Sequence, residues 1–225
     1  DRSRGQIQGT DPGDRSRGLQ TSFGKGLIMG FGGGDIVNLF KDKFTELIVI
    51  EGSKDLCDRS MELFGMYPGF SCFHSYFETF ELSQNDRVDV ILGNHVLEHV
   101  DDPIEVLIKS KSWLKETGCA IFSVPNANSL HRRIGVELKM LNSVYELHEG
   151  DKLIGHQRVY DRYSLEHDVK SAGYKIVESG GYDLKLVSQK QMKDWPQELI
   201  RAIFKVSREC EPDICSGIYV VGKKA

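Results

Sequence analysis

A short run of glycines after the first buried strand constrains the fold of this chain more than any other feature. Gly30-Phe31-Gly32-Gly33-Gly34 directly follows the apolar run Leu27–Met29 and precedes a helical pattern that begins near Asp35. Glycine lacks a Cβ atom, so the backbone can turn sharply there and a ligand can approach it closely. A strand, a glycine turn and a helix in this order are typical of the first unit of a nucleotide-binding α/β sheet.

Strand and helix signals alternate after this turn. Buried strands are predicted at Leu47–Ile50, Val88–Leu92 and Ala120–Val124, with a helical pattern between successive strands. Four such alternations imply a mainly parallel sheet with helices on both faces. Beyond residue 126 the pattern predicts helices at Ser129–Leu141, Leu165–Ala172 and Gln191–Ser207, and strands at Tyr174–Glu178 and Gly217–Gly222.

The helix after Val88–Leu92 has the clearest boundary signals in the sequence. Asp102 can cap it, Pro103 occupies the first helical position and Glu105 completes a capping box. Gly118 is expected to end this helix.

Composition and charge exclude several classes of protein. The 225 residues are 40% hydrophobic and 28% charged, as in a globular domain, and the formal net charge is −4. An acidic chain lacks the basic footprint that nucleic-acid binding needs. No apolar run approaches the ~20 residues that span a bilayer. The five cysteines are scattered without a C-x-x-C, so we expect neither a zinc ribbon nor a disulfide framework, and a cytoplasmic location.

The first residues differ in character from the rest. Residues 1–18 contain the sequence DRSRG twice and almost nothing apolar, which predicts a tag-like or disordered tail. Residues 19–225 are predicted to form a single domain, with a lid inserted at about residues 126–162.

An acidic residue ends the second predicted strand. Glu51 lies seventeen residues after Gly34, where a carboxylate can accept hydrogen bonds from two ribose hydroxyls. The glycine turn and Glu51 together predict a nucleoside-containing cofactor. A phosphate-loop pattern is absent, and Asp35 stands where a dinucleotide fingerprint requires its third glycine. A nicotinamide-dependent oxidoreductase is therefore disfavoured.

The glycine turn, Glu51 and the segment NHVLEHVDDP at residues 94–103 together resemble the class I S-adenosylmethionine-dependent methyltransferases, in their small-molecule branch. Residues 114–118 and 124–126 are similar to the next landmarks of that family. The resemblance implies an α/β, Rossmann-like, doubly wound fold. Its seven-stranded sheet would be mainly parallel with an antiparallel last strand, beside a small helical lid, and its cofactor would be S-adenosyl-L-methionine.

The resemblance also implies how the cofactor is held. The glycines would wrap its methionine part, Glu51 would bind the ribose, and Tyr76 or Phe77 would stack on adenine. Asn94 would face the methyl group. The family often has an acidic residue two positions before the first glycine, and here that residue is Ile28. The predicted cofactor-binding residues are Gly30, Phe31, Gly32, Gly34, Glu51, Gly52, Tyr76, Phe77, Asn94 and His95.

Two histidines are the candidate catalytic residues. His95, Glu98 and His99 match the H-x-x-E-H pattern of some zinc proteases. They are also similar to an E-x-x-E-H metal site of some methyltransferases, with His95 in place of the first Glu. Hydrogen bonds that fix the turn are a plainer alternative, and we predict no metal. Histidine suits removal of a proton from a hydroxyl or amine, so His99 and His156 are the predicted bases.

These features predict an enzyme that methylates a hydroxyl or amine of a small molecule, with a sugar or natural-product acceptor favoured. A non-catalytic methyltransferase-like binding domain and a nicotinamide-dependent oxidoreductase are the alternatives. We expect no nucleic-acid or membrane partner, and a homodimer. Arg132 and Arg133 are predicted to lie on a solvated helix face or to bind an acidic substrate group.

Overall fold

The computed structural model describes residues 23–188 and 191–225. The tail predicted at residues 1–18 therefore lies outside the described residues. Seven strands are described: β1 (Lys25–Met29), β2 (Glu46–Glu51), β3 (Phe70–His74), β4 (Val88–Asn94), β5 (Leu114–Pro125), β6 (Tyr174–Tyr182) and β7 (Gly217–Lys224). The α-helices in the same residues are α1 (Asp35–Phe40), α2 (Lys54–Phe64), α3 (Pro103–Trp113), α4 (Leu130–Glu137), α5 (Glu149–Leu153), α6 (Arg162–Ser171) and α7 (Gln197–Ser207).

All seven strands form one sheet in the order β3-β2-β1-β4-β5-β7-β6. The pairs from β3 to β5 are parallel, and β7 runs antiparallel to both β5 and β6. This arrangement confirms the predicted Rossmann-like, doubly wound fold with an antiparallel last strand. The chain moves outward from β1 to β3 and then returns to pair β4 with β1. A crevice forms at such a reversal of strand order, at the carboxyl ends of the strands.

The hydrophobic core has two parts that share β1. Leu27 and Met29 pack into one buried cluster, whereas Ile28 between them packs into another with Val37 and Val49. Successive side chains of a strand point to opposite faces, so a sheet covered on both sides needs a continuous apolar run. Ile28 is therefore a core residue.

The start of α3 was predicted correctly, but its end was not. The Asp102 carboxylate accepts hydrogen bonds from the backbone N–H groups of Ile104 and Glu105, at 2.9 and 3.0 Å. The helix ends at Trp113, and Gly118 lies inside β5. A Cβ on Gly118 would lie 3.0 Å from the carbonyl oxygen of Asp89. Glycine is needed there for the close approach of β4 and β5, and it does not end the helix.

Other helix boundaries also differ from the prediction. α4 ends at Glu137, because Lys139 adopts a positive φ of 55° that turns the chain away. α7 begins only at Gln197, after Pro196. A proline disfavours helical geometry in the residue before it, so the helical pattern could not extend back to Gln191. In the described part of the chain, no helix is both long enough and apolar enough to cross a membrane.

Candidate functional site

A cavity of about 380 Å³ opens at the reversal of strand order, between the carboxyl ends of β1 and β4. We call it the glycine cleft. Its walls are formed by residues 28–33, 35–36 and 94–96. The cleft therefore brings together five of the predicted cofactor residues, which are Gly30, Phe31, Gly32, Asn94 and His95.

The glycines of the turn have two different roles. Gly30 and Gly32 have positive φ angles of 80° and 54°, and a Cβ on either would have no protein atom within 4 Å. Their missing side chains leave open space in the cleft, which fits close approach of a ligand. Gly34 also has a positive φ of 86°, but a Cβ there would lie 2.9 Å from the Phe31 ring. At Gly34 the absence of a side chain therefore makes room for the Phe31 ring.

Glu51 holds the glycine turn in place. The side chain is buried at the end of β2, and its two oxygens accept hydrogen bonds from the N–H groups of Phe31 and Ser53, each at 2.8 Å. Each carboxylate oxygen has a second lone pair, so Glu51 can still accept hydrogen bonds from ribose hydroxyls. The Glu51 carboxylate as acceptor and the open space beside Gly30 and Gly32 fit the adenosyl cofactor that the sequence predicts.

The aromatic residues predicted to contact adenine lie in different environments. Tyr76 is exposed, and its ring lies 3.4 Å from where a Cβ of Gly52 would stand. Gly52 follows Glu51 directly, so Tyr76 lies beside the carboxylate predicted to bind ribose. Phe77 is half-buried and packs against the main core. The structure thus places Tyr76, and not Phe77, at the surface that a ligand can reach.

His95 is held between two partners at the edge of the glycine cleft. Its Nδ1 atom lies 3.2 Å from Glu98 Oε1, and its Nε2 atom is within 3.1 Å of the Tyr182 hydroxyl. The residue has a φ of 55°. Left-handed backbone is uncommon outside glycine and concentrates at functional sites.

Glu98 is a buried carboxylate whose one ion-pair contact among the described residues is with His95. Its side chain is only 1% exposed, and neither oxygen makes a hydrogen bond of acceptable geometry. Burial of a carboxylate is costly unless it is paired, so this group is expected to hold a proton or to contact a water, an ion or a ligand as well as His95. Single ligand atoms of Glu98, His99 and His156 all lie within 4.8 Å of one another. These three residues, which we call the carboxylate–histidine cluster, could share a proton or hold a metal ion.

The segment after His156 is fastened to the turn after β4. The Gln157 backbone N–H donates to the Glu98 carbonyl, and its side-chain amide donates to the His99 carbonyl, each at 2.8 Å. The Arg158 guanidinium donates to the Leu97 carbonyl at 2.9 Å. These bonds bring His156 to His99, and the two rings pack edge to face with centroids 4.6 Å apart.

Burial sets the charge state of His156. It lowers the pKa of this ring below its usual value, although the nearby Glu98 acts in the opposite direction. His156 is therefore neutral near pH 7 and can accept a proton. Its Nδ1 atom lies 3.7 Å from the buried carboxylate of Asp151. Asp151 and Tyr182 were not predicted, because each lies far from β4 in the sequence and reaches the cluster only through the fold.

The interpretation of Arg132 was wrong, since its side chain is buried. The guanidinium donates to the Val144 carbonyl at 2.8 Å, to the Glu146 carbonyl, and to the Asp151 carboxylate at 3.3 Å. With its donors engaged inside the protein, Arg132 neither faces solvent nor offers a free charge to a substrate. Arg133 is exposed.

The fold and the glycine cleft together define a doubly wound α/β protein that is built to bind a nucleoside cofactor. A family model described as "Methyltransferase domain" matches residues 14–179. The chain belongs to this methyltransferase domain family. A comparison with curated protein sequences finds no match.

Solved structures share the fold at low sequence identity. An S-adenosylmethionine-dependent methyltransferase from Mesorhizobium loti superposes with a TM-score of 0.65 at 13% identity, over 91% of this chain and 93% of that one. A chain in a Haloferax volcanii complex with the methyltransferase activator Trm112 gives 0.63 at 14%, over 90% and 82%. The N-methyltransferase NodS of Bradyrhizobium japonicum, with S-adenosyl-L-homocysteine, gives 0.56 at 11%, over 90% and 79%.

The family match confirms the predicted class of enzyme. The protein is an S-adenosylmethionine-dependent methyltransferase, and S-adenosylmethionine is its cofactor. The fold that it shares with solved methyltransferases agrees with this assignment.

Proposed function

We propose that the protein methylates a hydroxyl or amine of a small molecule, and that the carboxylate–histidine cluster removes the acceptor's proton. The observation that carries this proposal is Glu98. Its carboxylate is buried, has an ion-pair contact with His95 as its one such contact among the described residues, and lies beside His99 and His156 next to the glycine cleft. A structural carboxylate would be expected to make hydrogen bonds.

The cofactor would be held by the glycine cleft and the residues beside it. Gly30 and Gly32 would surround its methionine part, Glu51 would accept from its ribose, and Tyr76 with Gly52 would lie against adenine. Phe31, Asn94 and His95 complete the proposed set, and Gly34 and Phe77, which were predicted with them, support it through packing. When bound, S-adenosylmethionine supplies an electrophilic methyl group on a sulfonium. Most of the rate of such a displacement comes from holding donor and acceptor in line.

The acceptor must lose one proton as its oxygen or nitrogen gains the methyl group. His156 is the first candidate for this proton, because it is neutral and its Nδ1 atom faces Asp151. Its Nε2 atom is then the one that accepts. His99, in edge contact with His156, is the second candidate. Glu98 would stabilise the resulting imidazolium by its charge.

The acidic character of the chain supports a small acceptor. A net charge of −4 provides no electrostatic attraction for nucleic acid. NodS is an N-methyltransferase of the same fold, but identity of 11% does not extend its acceptor to this chain. The lid at about residues 126–162, the cytoplasmic location and the homodimer remain predictions, and light scattering would test the last.

Binding is the first experiment. Thermal unfolding is followed with S-adenosylmethionine, S-adenosylhomocysteine and NAD, each in large excess. A ligand at 100 times its dissociation constant stabilises a protein by about 2.7 kcal/mol. For a domain of this length the midpoint rises by roughly 5–10 °C. We expect this rise with the two adenosyl ligands only, and a rise with NAD alone would reverse the cofactor assignment.

Turnover is the second experiment. Formation of S-adenosylhomocysteine is measured across a panel of hydroxyl and amine compounds, for the natural protein, His156→Gln and His167→Gln. His167 is an exposed histidine on α6 and serves as the matched control. His156→Gln should slow turnover by a factor of about 100 or more while the affinity for S-adenosylhomocysteine stays unchanged. Full activity of this variant would remove His156 from the reaction, and cofactor binding without any turnover would favour a non-catalytic binding domain.

A further inference from the structure

A second cavity, of about 320 Å³, lies between α4 and the chain that follows β6. We call it the α4 pocket. Its apolar side chains come from α4, from the loop after it, and from residues 186–187; those from α4 and its loop are Ile134, Leu138, Met140 and Leu141. Leu138 and Met140 are 65% and 72% exposed, so an apolar ligand would remove large hydrocarbon surfaces from water.

The charged groups in the wall of the α4 pocket are already engaged. Arg132 donates to two backbone carbonyls and to Asp151. His148 caps α5, since its Nδ1 atom accepts from the Asp151 N–H at 3.0 Å. Both side chains already pair with Asp151. A carboxylate or phosphate in this pocket would therefore lose its hydration and compete with Asp151 for them.

One polar atom in the wall has no partner among the residues that the structure describes. His131 lines the α4 pocket, and its Nδ1 atom is buried without a hydrogen bond. Burial lowers the pKa of His131 to about 4, so the ring is uncharged at neutral pH. A neutral imidazole can exchange one hydrogen bond with a hydroxyl or amide of a ligand.

The α4 pocket is connected to the carboxylate–histidine cluster through Asp151. Arg132 and His148, both in the pocket wall, contact Asp151 at 3.3 Å. On its other side, Asp151 lies 3.7 Å from His156. A ligand that occupies the α4 pocket would therefore lie against the elements that position the proposed base.

We propose that the α4 pocket binds the body of the methyl acceptor, and that this acceptor is uncharged, largely apolar and carries, besides the group to be methylated, one group that hydrogen-bonds to His131. The proposal rests on the proposed function and narrows its acceptor from a sugar or natural product to an apolar natural-product-like compound. A sugar would bury several hydroxyls in a wall that is mostly hydrocarbon and whose polar side chains Ser188 and Gln191 already bond to each other. An apolar cavity of about 150 Å³ accommodates benzene, so this pocket suits roughly two fused rings.

The test uses 2-naphthol, an uncharged two-ring probe with one hydroxyl. Its fluorescence is titrated with the full chain in the presence of S-adenosylhomocysteine, beside naphthalene and 2-naphthoate, and methyl α-glucoside is added as a competitor of bound 2-naphthol. We expect 2-naphthol to bind at least 10-fold more tightly than 2-naphthoate and the glucoside to show no binding. Tighter binding of the glucoside or of 2-naphthoate would overturn the proposal.

Variants locate the bound probe. A Cβ on Gly135 would lie 3.3 Å from Leu141, so Gly135→Leu fills the α4 pocket and should weaken 2-naphthol binding at least 10-fold. Met140→Gln should weaken 2-naphthol binding several-fold. Met66→Gln should leave it unchanged, because Met66 is an exposed methionine after α2 that does not line the α4 pocket. His131→Phe should reduce the affinity for 2-naphthol and leave that for naphthalene unchanged. Unaltered 2-naphthol binding in Gly135→Leu contradicts the proposal.

Two further measurements distinguish the acceptor from a different occupant of the α4 pocket. Calorimetry of S-adenosylhomocysteine binding tests the glycine cleft alone. If S-adenosylhomocysteine does not bind, the proposed function fails, and the proposal for the α4 pocket is not thereby tested. If a second copy of the chain covers the pocket, Met140→Gln will dissociate the dimer seen by light scattering. If residues 1–22 cover it, their removal will be needed before the probe binds. Either result would replace the small-molecule acceptor as the occupant.

Discussion

At the scale of single residues, Glu51 combines two roles, of which the sequence predicts only one. The spacing from Gly34 predicted a ribose-binding carboxylate, and the structure adds hydrogen bonds from Phe31 and Ser53 to the same side chain. The side chain that would recognise the cofactor therefore also fixes the turn that would surround it. Loss of the carboxylate should affect both binding and stability.

Glu51→Ala is accordingly expected to weaken S-adenosylhomocysteine binding at least 10-fold and to lower thermal stability as well. Two buried donors lose their acceptor, at a cost of about 1–3 kcal/mol. Calorimetric titration and thermal unfolding measure the two effects. Glu46→Ala, at the exposed opposite end of β2, is the control and should leave the affinity unchanged. Normal affinity in Glu51→Ala would exclude the ribose role.

His131 makes stability depend on pH. Its pKa is about 4 in the folded protein, chiefly through burial and next through Lys185 and Arg132, with His148 acting in the same direction and Asp151 opposing. The unfolded chain, with an ordinary histidine pKa of about 6.5, binds this proton more tightly. The stability that the neutral ring contributes is therefore present above pH 6.5 and is lost as the pH falls towards 4.

The measurement is the unfolding free energy of the natural protein and of His131→Asn between pH 7 and pH 4. The natural protein should lose roughly 2–3 kcal/mol more than the variant over this range. His167→Asn, which changes an exposed histidine on α6, should follow the natural protein. If the unfolding free energies of the natural protein and His131→Asn fall in parallel with pH, folding does not lower the pKa of the His131 ring.

At the scale of elements, the segment Gln157–Arg158 is hydrogen-bonded to the backbone of the turn after β4. The Arg158 guanidinium donates to the carbonyls of Leu97, Val100 and Asp101. Arginine can serve three acceptors at once because its five donors lie in one rigid plane. The position of His156 beside Glu98 depends on this contact between two distant segments.

Arg158→Ala should therefore slow turnover more than it weakens cofactor binding. The variant leaves three carbonyls without a donor and allows His156 to move from the cluster, so we expect turnover to fall at least 10-fold. S-adenosylhomocysteine affinity should change less than 3-fold, since the glycine cleft is not touched. Arg133→Ala, at an exposed arginine of α4, is the matched control. Equal losses in turnover and affinity would indicate general unfolding instead.

Local signals explain which elements could be predicted from the sequence. The start of α3 was predicted because Asp102 and Pro103 act within one turn of the helix. β3 was not found from its own pattern, because Phe70–His74 lacks a β-branched run and lies at the edge of the sheet. Gly118 was misinterpreted because its role depends on contact with Asp89 in another strand.

At the scale of the whole molecule, the strand order explains why the site was only partly predictable. The glycine turn and Glu51 are close in sequence and end neighbouring strands, so their spacing identified them. The carboxylate–histidine cluster combines residues after β4 with His156, and the neighbouring Asp151 also lies beyond β5. Tyr182 comes from β6 and reaches His95 across the sheet. Contacts of this kind follow from topology and leave no local pattern.

The strand order also has a consequence for how the protein is made. β7 lies between β5 and β6, although it follows both in the chain. While a ribosome is still adding residues 183–216, one edge of β5 has no partner strand, and β6 lacks the strand β7 with which it pairs. Because N-terminal segments emerge first and exposed strand edges invite aggregation, the growing chain passes through a stage that chaperones are suited to protect. Only the synthesis of Gly217–Lys224 allows the sheet to close.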